Sequence, residues 1–293
     1  MIAHLIPQKK LESWSFVTRS AMAREHLALN RPSIFAFLVI ASVAIIDVSA
    51  RAPQRLIDGS DAAPGEIVFQ ASLRLNGRHH CGGAIVSTRH ILTAAHCLYE
   101  VEVPYDALTV VTGSNNLEKG GEVFKVDDID IHENYTSNPD GSYAHDIAMI
   151  TLVGDMDVNT YQAPVVLPES DAVDHVVGTV SGWGMGYDDF PDGDYSKILQ
   201  KSDMTVLTHN ECQKLHKLNE IGEDNICGFR NSFSGVCSGD DGSPLVFNDT
   251  LIGIVSWYYP CAIGLPDVYT EVHHYYDWIL EGLSRGFYNS RRI

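Results

Sequence analysis

The chain has 293 residues, is rich in Gly (24), Tyr (13) and Phe (10), and carries a formal net charge of −18 at pH 7. This length suits one large domain or two small ones, and the composition is typical of a turn-rich β core. The acidic charge disfavours nucleic acids and anionic membranes as partners, and we expect neither. Residues 56–293 are more acidic still, with 35 Asp or Glu against 13 Lys or Arg. We interpret this charge as a source of solubility, although it would also attract basic proteins.

The N-terminal part carries an apolar run, Ile34–Ile46, which follows two arginines and precedes small residues at 48–50. Thirteen apolar residues in this setting are typical of a secretory signal peptide and are too few for a comfortable membrane span. We assign residues 1–50 to a signal peptide with an N-terminal extension, the start being Met1 or Met22. The protein is therefore expected to be secreted and extracellular, with an uncleaved signal anchor as the alternative.

Cysteine usage agrees with an oxidising compartment, because an even number of cysteines behind a signal peptide indicates disulfides. Six cysteines permit fifteen pairings, among which spacing alone does not choose. The spacing does not fit a Cys-x-x-Cys zinc site, so we expect no metal and no cofactor. The cysteines are Cys81, Cys97, Cys212, Cys227, Cys237 and Cys261.

Four short motifs follow one another along the chain: RLIDG at 55–59, LTAAHC at 92–97, DIAM at 146–149 and CSGDDGSPL at 237–245. In this order they resemble the activation site, the general-base motif, the aspartate strand and the nucleophile loop of the chymotrypsin-like serine peptidases. Insect chymotrypsins are the most similar group, chiefly through the segment at 260–270.

The resemblance covers residues 56–283 and implies an all-β fold of two six-stranded antiparallel Greek-key barrels with a short C-terminal helix. The barrels are expected at about 56–165 and 173–274, with the active site in the cleft between them. A short pro-segment at 51–55 precedes this trypsin-like domain, and a polar tail at 284–293 follows it.

Local patterns agree with this architecture. Residues 69–75 alternate like a half-buried strand and lead into Asn76-Gly77, a strong hairpin signal. Residues 208–218 have helical character with Thr208 as a candidate N-cap, and residues 275–283 form an amphipathic stretch.

The resemblance assigns His96 as general base and Asp146 as the residue that orients it. The nucleophile position, where the family has serine, is occupied by Asp241, and the oxyanion hole is formed by the amides of Gly239 and Asp241. A carboxylate is a weak acyl-transfer nucleophile, and its charge opposes the developing oxyanion. It also attracts protonated His96 and raises the pKa of that imidazole. Ser243 replaces a family glycine two residues further on, and we expect it to be a small residue in a packed turn rather than a nucleophile.

Other roles are carried over from the same resemblance. Cleavage after Arg55 would free the Leu56 amine to pair with the buried carboxylate of Asp240. Tyr258 replaces a family glycine and is expected to cover the mouth of the specificity pocket. That pocket is formed by Gly235, Ser256, Trp257, Tyr258 and Asp267, and the implied disulfides are Cys81–Cys97, Cys212–Cys227 and Cys237–Cys261.

Two further sequence features give weaker functional predictions. Asn134-Tyr135-Thr136 and Asn248-Asp249-Thr250 match the N-glycosylation consensus. Glu118 and Glu122 flank a glycine turn at a position where some members of the family bind calcium. Two carboxylates are too few for a six- to eight-oxygen calcium site, so we interpret this segment as a solvated loop.

Two functions are consistent with these features. The first is a secreted, non-catalytic peptidase homologue, a monomer that binds protein or peptide substrates or inhibitors of related peptidases and regulates extracellular proteolysis. The alternative is an active chymotrypsin-like endopeptidase of digestive or venom type, activated by cleavage after Arg55.

Overall fold

The computed structural model describes residues 59–186, 190–191, 193–232, 234–259, 261 and 263–289. The predicted signal peptide, the pro-segment, Arg55 and Leu56 lie outside these residues.

No helix of the described part is long and apolar enough to cross a membrane. The strands are β1 (Ser60–Asp61), β2 (Gln70–Leu75), β3 (Arg78–Ile85), β4 (His90–Thr93), β5 (Leu108–Thr112), β6 (Glu122–Ile131), β7 (Thr136–Ser137), β8 (Tyr143–Ala144), β9 (Ala148–Leu152), β10 (Val177–Gly182), β11 (Gln200–Leu207), β12 (Asn225–Phe229), β13 (Pro244–Phe247), β14 (Thr250–Trp257) and β15 (Asp267–Glu271), and the helices are α1 (His209–Leu215) and α2 (Tyr276–Asn289).

The first barrel is closed by six antiparallel strands in the order β2-β3-β4-β9-β6-β5. Its first hairpin joins β2 to β3 through Asn76 and Gly77, whose φ angles are 52° and 78°. Two consecutive positive φ values define the type I′ turn that Asn-Gly favours, because its twist matches that of the flanking strands. The Asn-Gly signal therefore sets the register in which Leu75 lies opposite Arg78, and a bulge between Arg74 and Leu73 then places Leu73 opposite Cys81.

The second barrel contains six antiparallel strands in the order β11-β10-β13-β14-β15-β12, and it closes where β12 pairs with β11. Strand β1 adds a seventh, two-residue strand beside β11. The expected fold of two six-stranded antiparallel barrels with a C-terminal helix is thus confirmed.

The two barrels belong to one compact unit and share a core. Leu251 and Ile254 of β14 are fully buried in the same apolar cluster as Ile91 and Ile150 of the first barrel. Ile279 of α2 is buried in that cluster as well. This shared packing holds the loops that carry the candidate site in a fixed relation to one another.

Helix α2 extends further than the sequence indicated. It continues to Asn289, through residues that we expected to form a polar tail. Arg285 on its last turns pairs with Asp130 of β6, Nη2 to Oδ2 2.9 Å. This partner lies far away in the chain, so local sequence does not show where the helix ends.

Helix α1 begins with a capping box. The Thr208 hydroxyl accepts a hydrogen bond from the Glu211 amide at 3.1 Å, and the Glu211 carboxylate accepts one from the Thr208 amide at 3.0 Å. These bonds satisfy two amides that a helix start would otherwise leave without partners.

We expect Thr208→Ala to cost about 1 kcal/mol, because it removes the cap of α1. In a domain of this size the midpoint of thermal unfolding would then fall by about 2–4 °C. Thr208→Ser keeps the hydroxyl and serves as the control, and equal melting of the two variants would contradict the capping role.

Three disulfides tie loops to the barrels, and the described part contains no free cysteine. The pairs are Cys81–Cys97, Cys212–Cys227 and Cys237–Cys261. The first places His96 beside β3, and the third anchors the segment that leads to Asp241.

Candidate active site

Loops at the ends of strands bring His96, Asp146 and Asp241 together in the cleft. His96 lies in a short 3-10 turn after β4, and Asp146 lies just before β9. His96 Nδ1 donates to Asp146 Oδ2 at 2.8 Å, and the His96 amide donates to Asp146 Oδ1 at 2.9 Å. One carboxylate oxygen therefore holds the imidazole of His96, and the other holds its backbone amide.

Asp146 is completely buried and is held by further groups. Ser256 Oγ donates to Asp146 Oδ2 at 2.6 Å, and Thr270 Oγ1 donates to the Asp146 carbonyl at 2.7 Å. Ser256 was expected at the specificity pocket, and the structure shows that it also supports the Asp146–His96 pair. Thr270 was missed, because a threonine inside a buried strand carries no pattern that indicates such a contact.

The ring of Tyr143 stacks on His96 with a centroid separation of 4.7 Å. Tyr135 lies next to Tyr143, and Tyr99 lies next to Tyr135. These tyrosines form one rim of the cleft. Tyr135 precedes β7 and Tyr143 begins β8 of the same hairpin, whereas Tyr99 follows the His96 turn, so only the folded chain brings all three together.

Asp241 points into the cleft, with 23% of its side chain exposed. Its Oδ1 lies 3.5 Å from His96 Nε2. Its Oδ2 accepts hydrogen bonds from the Gly239 amide at 3.2 Å and from the Tyr258 hydroxyl at 3.1 Å. The Gly239 amide, which we expected to stabilise an oxyanion, thus donates to a carboxylate of the chain itself.

Electrostatic interactions in the cleft favour the charged forms of both His96 and Asp241. Burial alone would lower the pKa of His96, but the carboxylates of Asp146 and Asp241 outweigh it and raise that pKa well above 6.5. Burial likewise opposes ionisation of Asp241, yet His96, the Gly239 amide and the Tyr258 hydroxyl lower its pKa below 3.8. At neutral pH the cleft therefore holds an imidazolium between two carboxylates.

We expect Asp241→Asn to lower the pKa of His96, because it removes one of the two negative charges beside the imidazole. A pH titration of the His96 ring signals by ¹H–¹⁵N NMR measures this shift. Asp203→Asn, which removes an exposed carboxylate from β11, is the control and should leave the His96 titration unchanged. An unaltered His96 pKa in Asp241→Asn would show that the two side chains do not interact in solution.

Ser243 lies away from His96 and is completely buried. Its hydroxyl accepts a 3.4 Å hydrogen bond from Gln70 Nε2. A Cβ atom on Gly82 would collide with Ser243 Oγ, so the serine fills the space that this glycine leaves open. A side chain in this position does not reach a substrate in the cleft.

The residues expected to form the specificity pocket lie near one another. The ring of Tyr258 packs against the cluster that contains Val236, and its hydroxyl reaches Asp241. Asp267 is buried and accepts a 2.9 Å hydrogen bond from the Val236 amide. Burial raises the pKa of Asp267 well above 3.8. Gly235 and Trp257, the other expected members, are also buried.

Asp240 is fully buried beside the cleft. Its Oδ1 accepts from the Gly184 amide at 2.7 Å, and its Oδ2 accepts from the Cys237 amide at 3.0 Å. Burial outweighs these bonds and raises the pKa of Asp240 to about 7. Its expected partner, the Leu56 amine, lies outside the described residues.

The motifs did not predict that His79 of β3 contacts the loop at Gly239. His79 Nε2 donates to the Gly239 carbonyl at 2.8 Å, while the Ser72 hydroxyl donates to His79 Nδ1 at 2.9 Å. The imidazole is buried, which lowers its pKa to about 4, so it is neutral. Its hydrogen bond to the Gly239 carbonyl holds the loop whose Gly239 amide contacts Asp241.

The candidate metal ligands have other partners. Glu118 pairs with Lys197 at 2.7 Å, and Glu122 accepts a hydrogen bond from Gln162. Cys81, His96 and Cys97 form a compact group, but its two sulfur atoms share a disulfide and offer no thiolate to a metal.

Two antiparallel barrels with a buried Asp–His pair in the cleft between them define the chymotrypsin-like class of proteins. The chain belongs to the trypsin family, whose model, described as Trypsin, matches residues 56–279. It is 36% identical to Chymotrypsin-2 of the hornet Vespa crabro over 227 residues, which are 76% of this chain and 98% of the relative. Among solved structures it resembles mouse neuropsin, a serine protease expressed in the limbic system of the brain. The TM-score is 0.69 and the identity 29%, over 77% of this chain and 99% of neuropsin.

Proposed function

We propose that this chain is a secreted, non-catalytic member of the trypsin family that acts as a binding or regulatory module in extracellular proteolysis. The observation that carries this proposal is the position of the Asp241 carboxylate. It lies between His96, the Gly239 amide and the Tyr258 hydroxyl. Of these, His96 and the Gly239 amide are the groups with which a serine nucleophile and its substrate would have to interact, as base and as oxyanion donor.

Each requirement for acyl transfer fails for a separate reason. A carboxylate with a lowered pKa is already deprotonated, so His96 has no proton to remove from it. A protonated His96 does not act as a base. The negative charge beside the Gly239 amide opposes the oxyanion that this amide would stabilise, and removing one such donor alone costs about 10²–10³ in kcat.

The altered pocket supports the same conclusion. The Tyr258 ring packs inward, and its hydroxyl bonds Asp241, so a substrate side chain would have to displace both contacts. Binding of proteins or peptides is therefore expected to use the rims of the cleft. The partners that we propose are substrates or inhibitors of related peptidases, bound by a monomer.

Secretion is supported by the three disulfides and by the signal-peptide pattern at residues 1–50. We also propose that cleavage after Arg55 produces the mature chain, as in the active members of the family that the motif resembles.

A direct experiment tests this function. The secreted chain is cut with trypsin, Leu56 is verified as the new N-terminus, and the trypsin is removed. Peptide substrates with aromatic, aliphatic or basic residues before the scissile bond are then assayed, together with labelling by a serine-directed fluorophosphonate. We expect neither turnover nor labelling.

The control for this experiment is His96→Ala. Turnover that survives removal of trypsin and disappears in His96→Ala would overturn the proposal. It would establish the alternative, an active chymotrypsin-like endopeptidase. One observation favours that alternative: the Asp146–His96 pair and its supporting Ser256 retain the geometry needed for general-base catalysis.

A further inference from the structure

The hairpin between β13 and β14 ends in a two-residue turn, Asn248-Asp249, closed by the pair Phe247 and Thr250. The φ angles of the turn residues are 47° and 62°, which define a type I′ turn, and both side chains are exposed. Asn248 is the acceptor residue of the consensus Asn-Asp-Thr. An exposed asparagine on a tight turn is accessible to an enzyme that must bind its amide nitrogen.

The same turn borders a groove of about 790 Å³ on the second barrel. Residues with polar side chains border it from several segments, namely Glu66, Thr179, Lys201, Ser202, Asp203 and Arg230, and Lys201 pairs with Glu66. Some of these side chains contact one another, as in the 3.1 Å bond from Thr179 to Asp203 and the 3.2 Å bond from Arg230 to Ser202. Together they offer charged donors, a carboxylate acceptor and hydroxyls, the set of groups that hydrogen-bonds sugar hydroxyls.

We propose that Asn248 carries an N-linked glycan and that the first sugars of this glycan lie in this groove. The inference rests on the secretion proposed above, because the modification takes place in the secretory pathway. The Asn248 amide nitrogen forms a bond to the anomeric carbon of an oligosaccharide carried on a lipid diphosphate. The bond from that carbon to the lipid diphosphate breaks, the lipid diphosphate leaves with the electron pair, and the amide loses one proton.

The position of the turn makes the glycan compatible with binding in the cleft. Strand β13 begins three residues after Asp241 and carries the chain away from it for four residues. At about 3.3 Å per residue, the turn lies on the order of 13 Å or more from the cleft end of the strand. Asn134, the other consensus asparagine, instead adjoins Tyr135 on the aromatic rim that leads to His96.

The first test measures modification at Asn248 alone. The full chain with its own signal peptide is expressed in insect cells treated with a mannosidase inhibitor, in an Asn134→Gln background that leaves one consensus site. Intact mass of the protein in the medium should fall on treatment with peptide-N-glycosidase. Thr250→Ala should abolish this mass shift, whereas Thr250→Ser should retain it.

Two failures are distinguishable in this experiment. Secreted protein with an unmodified Asn248 overturns the inference and leaves the proposed function intact. A folded chain that never reaches the medium overturns secretion and, with it, this inference.

The second test concerns the groove. Trimming the glycan to its first sugar with an endoglycosidase should lower the melting temperature less than complete removal, which should lower it by about 2–4 °C. Thr179→Ala should lower the melting temperature more in the glycosylated protein than in an Asn248→Gln background. Equal effects of Thr179→Ala in both backgrounds would show that the sugars do not occupy the groove.

Discussion

Replacing Asp241 by serine and Tyr258 by glycine together is expected to convert the chain, once cut after Arg55, into a peptide hydrolase. Serine would restore a hydroxyl that His96 can deprotonate, and it would free the Gly239 amide for the oxyanion. Glycine at 258 would remove the ring that we expect to cover the mouth of the specificity pocket. Loss of a serine nucleophile costs on the order of 10⁶-fold in kcat, so the gain over the parent chain should be on the order of 10⁴–10⁶-fold.

Matched variants separate the two contributions to this gain. Asp241→Ser alone should react with a serine-directed fluorophosphonate but hydrolyse peptides poorly, and Tyr258→Gly alone should do neither. Adding Ser243→Gly should change little, because Ser243 is buried against Gly82 away from the cleft. If the double variant with a verified Leu56 terminus neither reacts nor hydrolyses, the substitutions at 241 and 258 do not account for the absence of turnover that we propose for the parent chain.

Cleavage after Arg55 is expected to stabilise the domain, and more strongly at pH 8 than at pH 5. In the uncut chain burial raises the pKa of Asp240 from 3.8 to about 7, so the folded state holds this proton more tightly than the unfolded state. Stability is then greatest at low pH and is lost as pH rises from about 4 to 7, by on the order of 4 kcal/mol from this group. A cation paired with Asp240 would remove that loss.

Thermal unfolding of the cut and uncut chains at the two pH values measures this effect. At pH 8 the cut form should melt on the order of 10 °C higher, since 1 kcal/mol corresponds to about 2–4 °C in a domain of this size. Asp240→Asn has no charge to bury, so cleavage should change its melting temperature little at either pH. Equal melting of the cut and uncut parent chains at pH 8 would contradict the proposed pairing with the Leu56 amine.

The sequence motifs predicted which residues line the cleft, because their order and the cysteines between them leave little freedom of alignment. The directions in which these side chains point could not be predicted from the motifs. That Tyr258 would bond Asp241, and that the second oxygen of Asp241 would bond the Gly239 amide, depends on rotamers that only the packed cleft determines. The orientation of Ser243 toward Gln70 depends likewise on contact between the barrels.

The helices show the same difference between local and distant causes. The cap of α1 could be predicted, because Thr208 and its partner are three residues apart. The extension of α2 to Asn289 and the ion pair of Arg285 with Asp130 of the first barrel were not predicted. Distant contacts were predicted where a family motif indicated them, as for His96 and Asp146, and not elsewhere.

The burial of Asp146 determines which residues of the candidate site can be replaced with little loss of folding free energy. Its carboxylate is fully enclosed and accepts hydrogen bonds from the side chains of His96 and Ser256, so replacing either side chain would remove one partner of a buried acceptor at a cost of about 1–3 kcal/mol. Position 241 is partly exposed, and a carboxylate there gains His96, an amide and a hydroxyl as partners. A substitution at position 241 therefore leaves the buried Asp146–His96 pair and its hydrogen bonds in place. We expect this pair to support folding whether or not the chain cuts peptides.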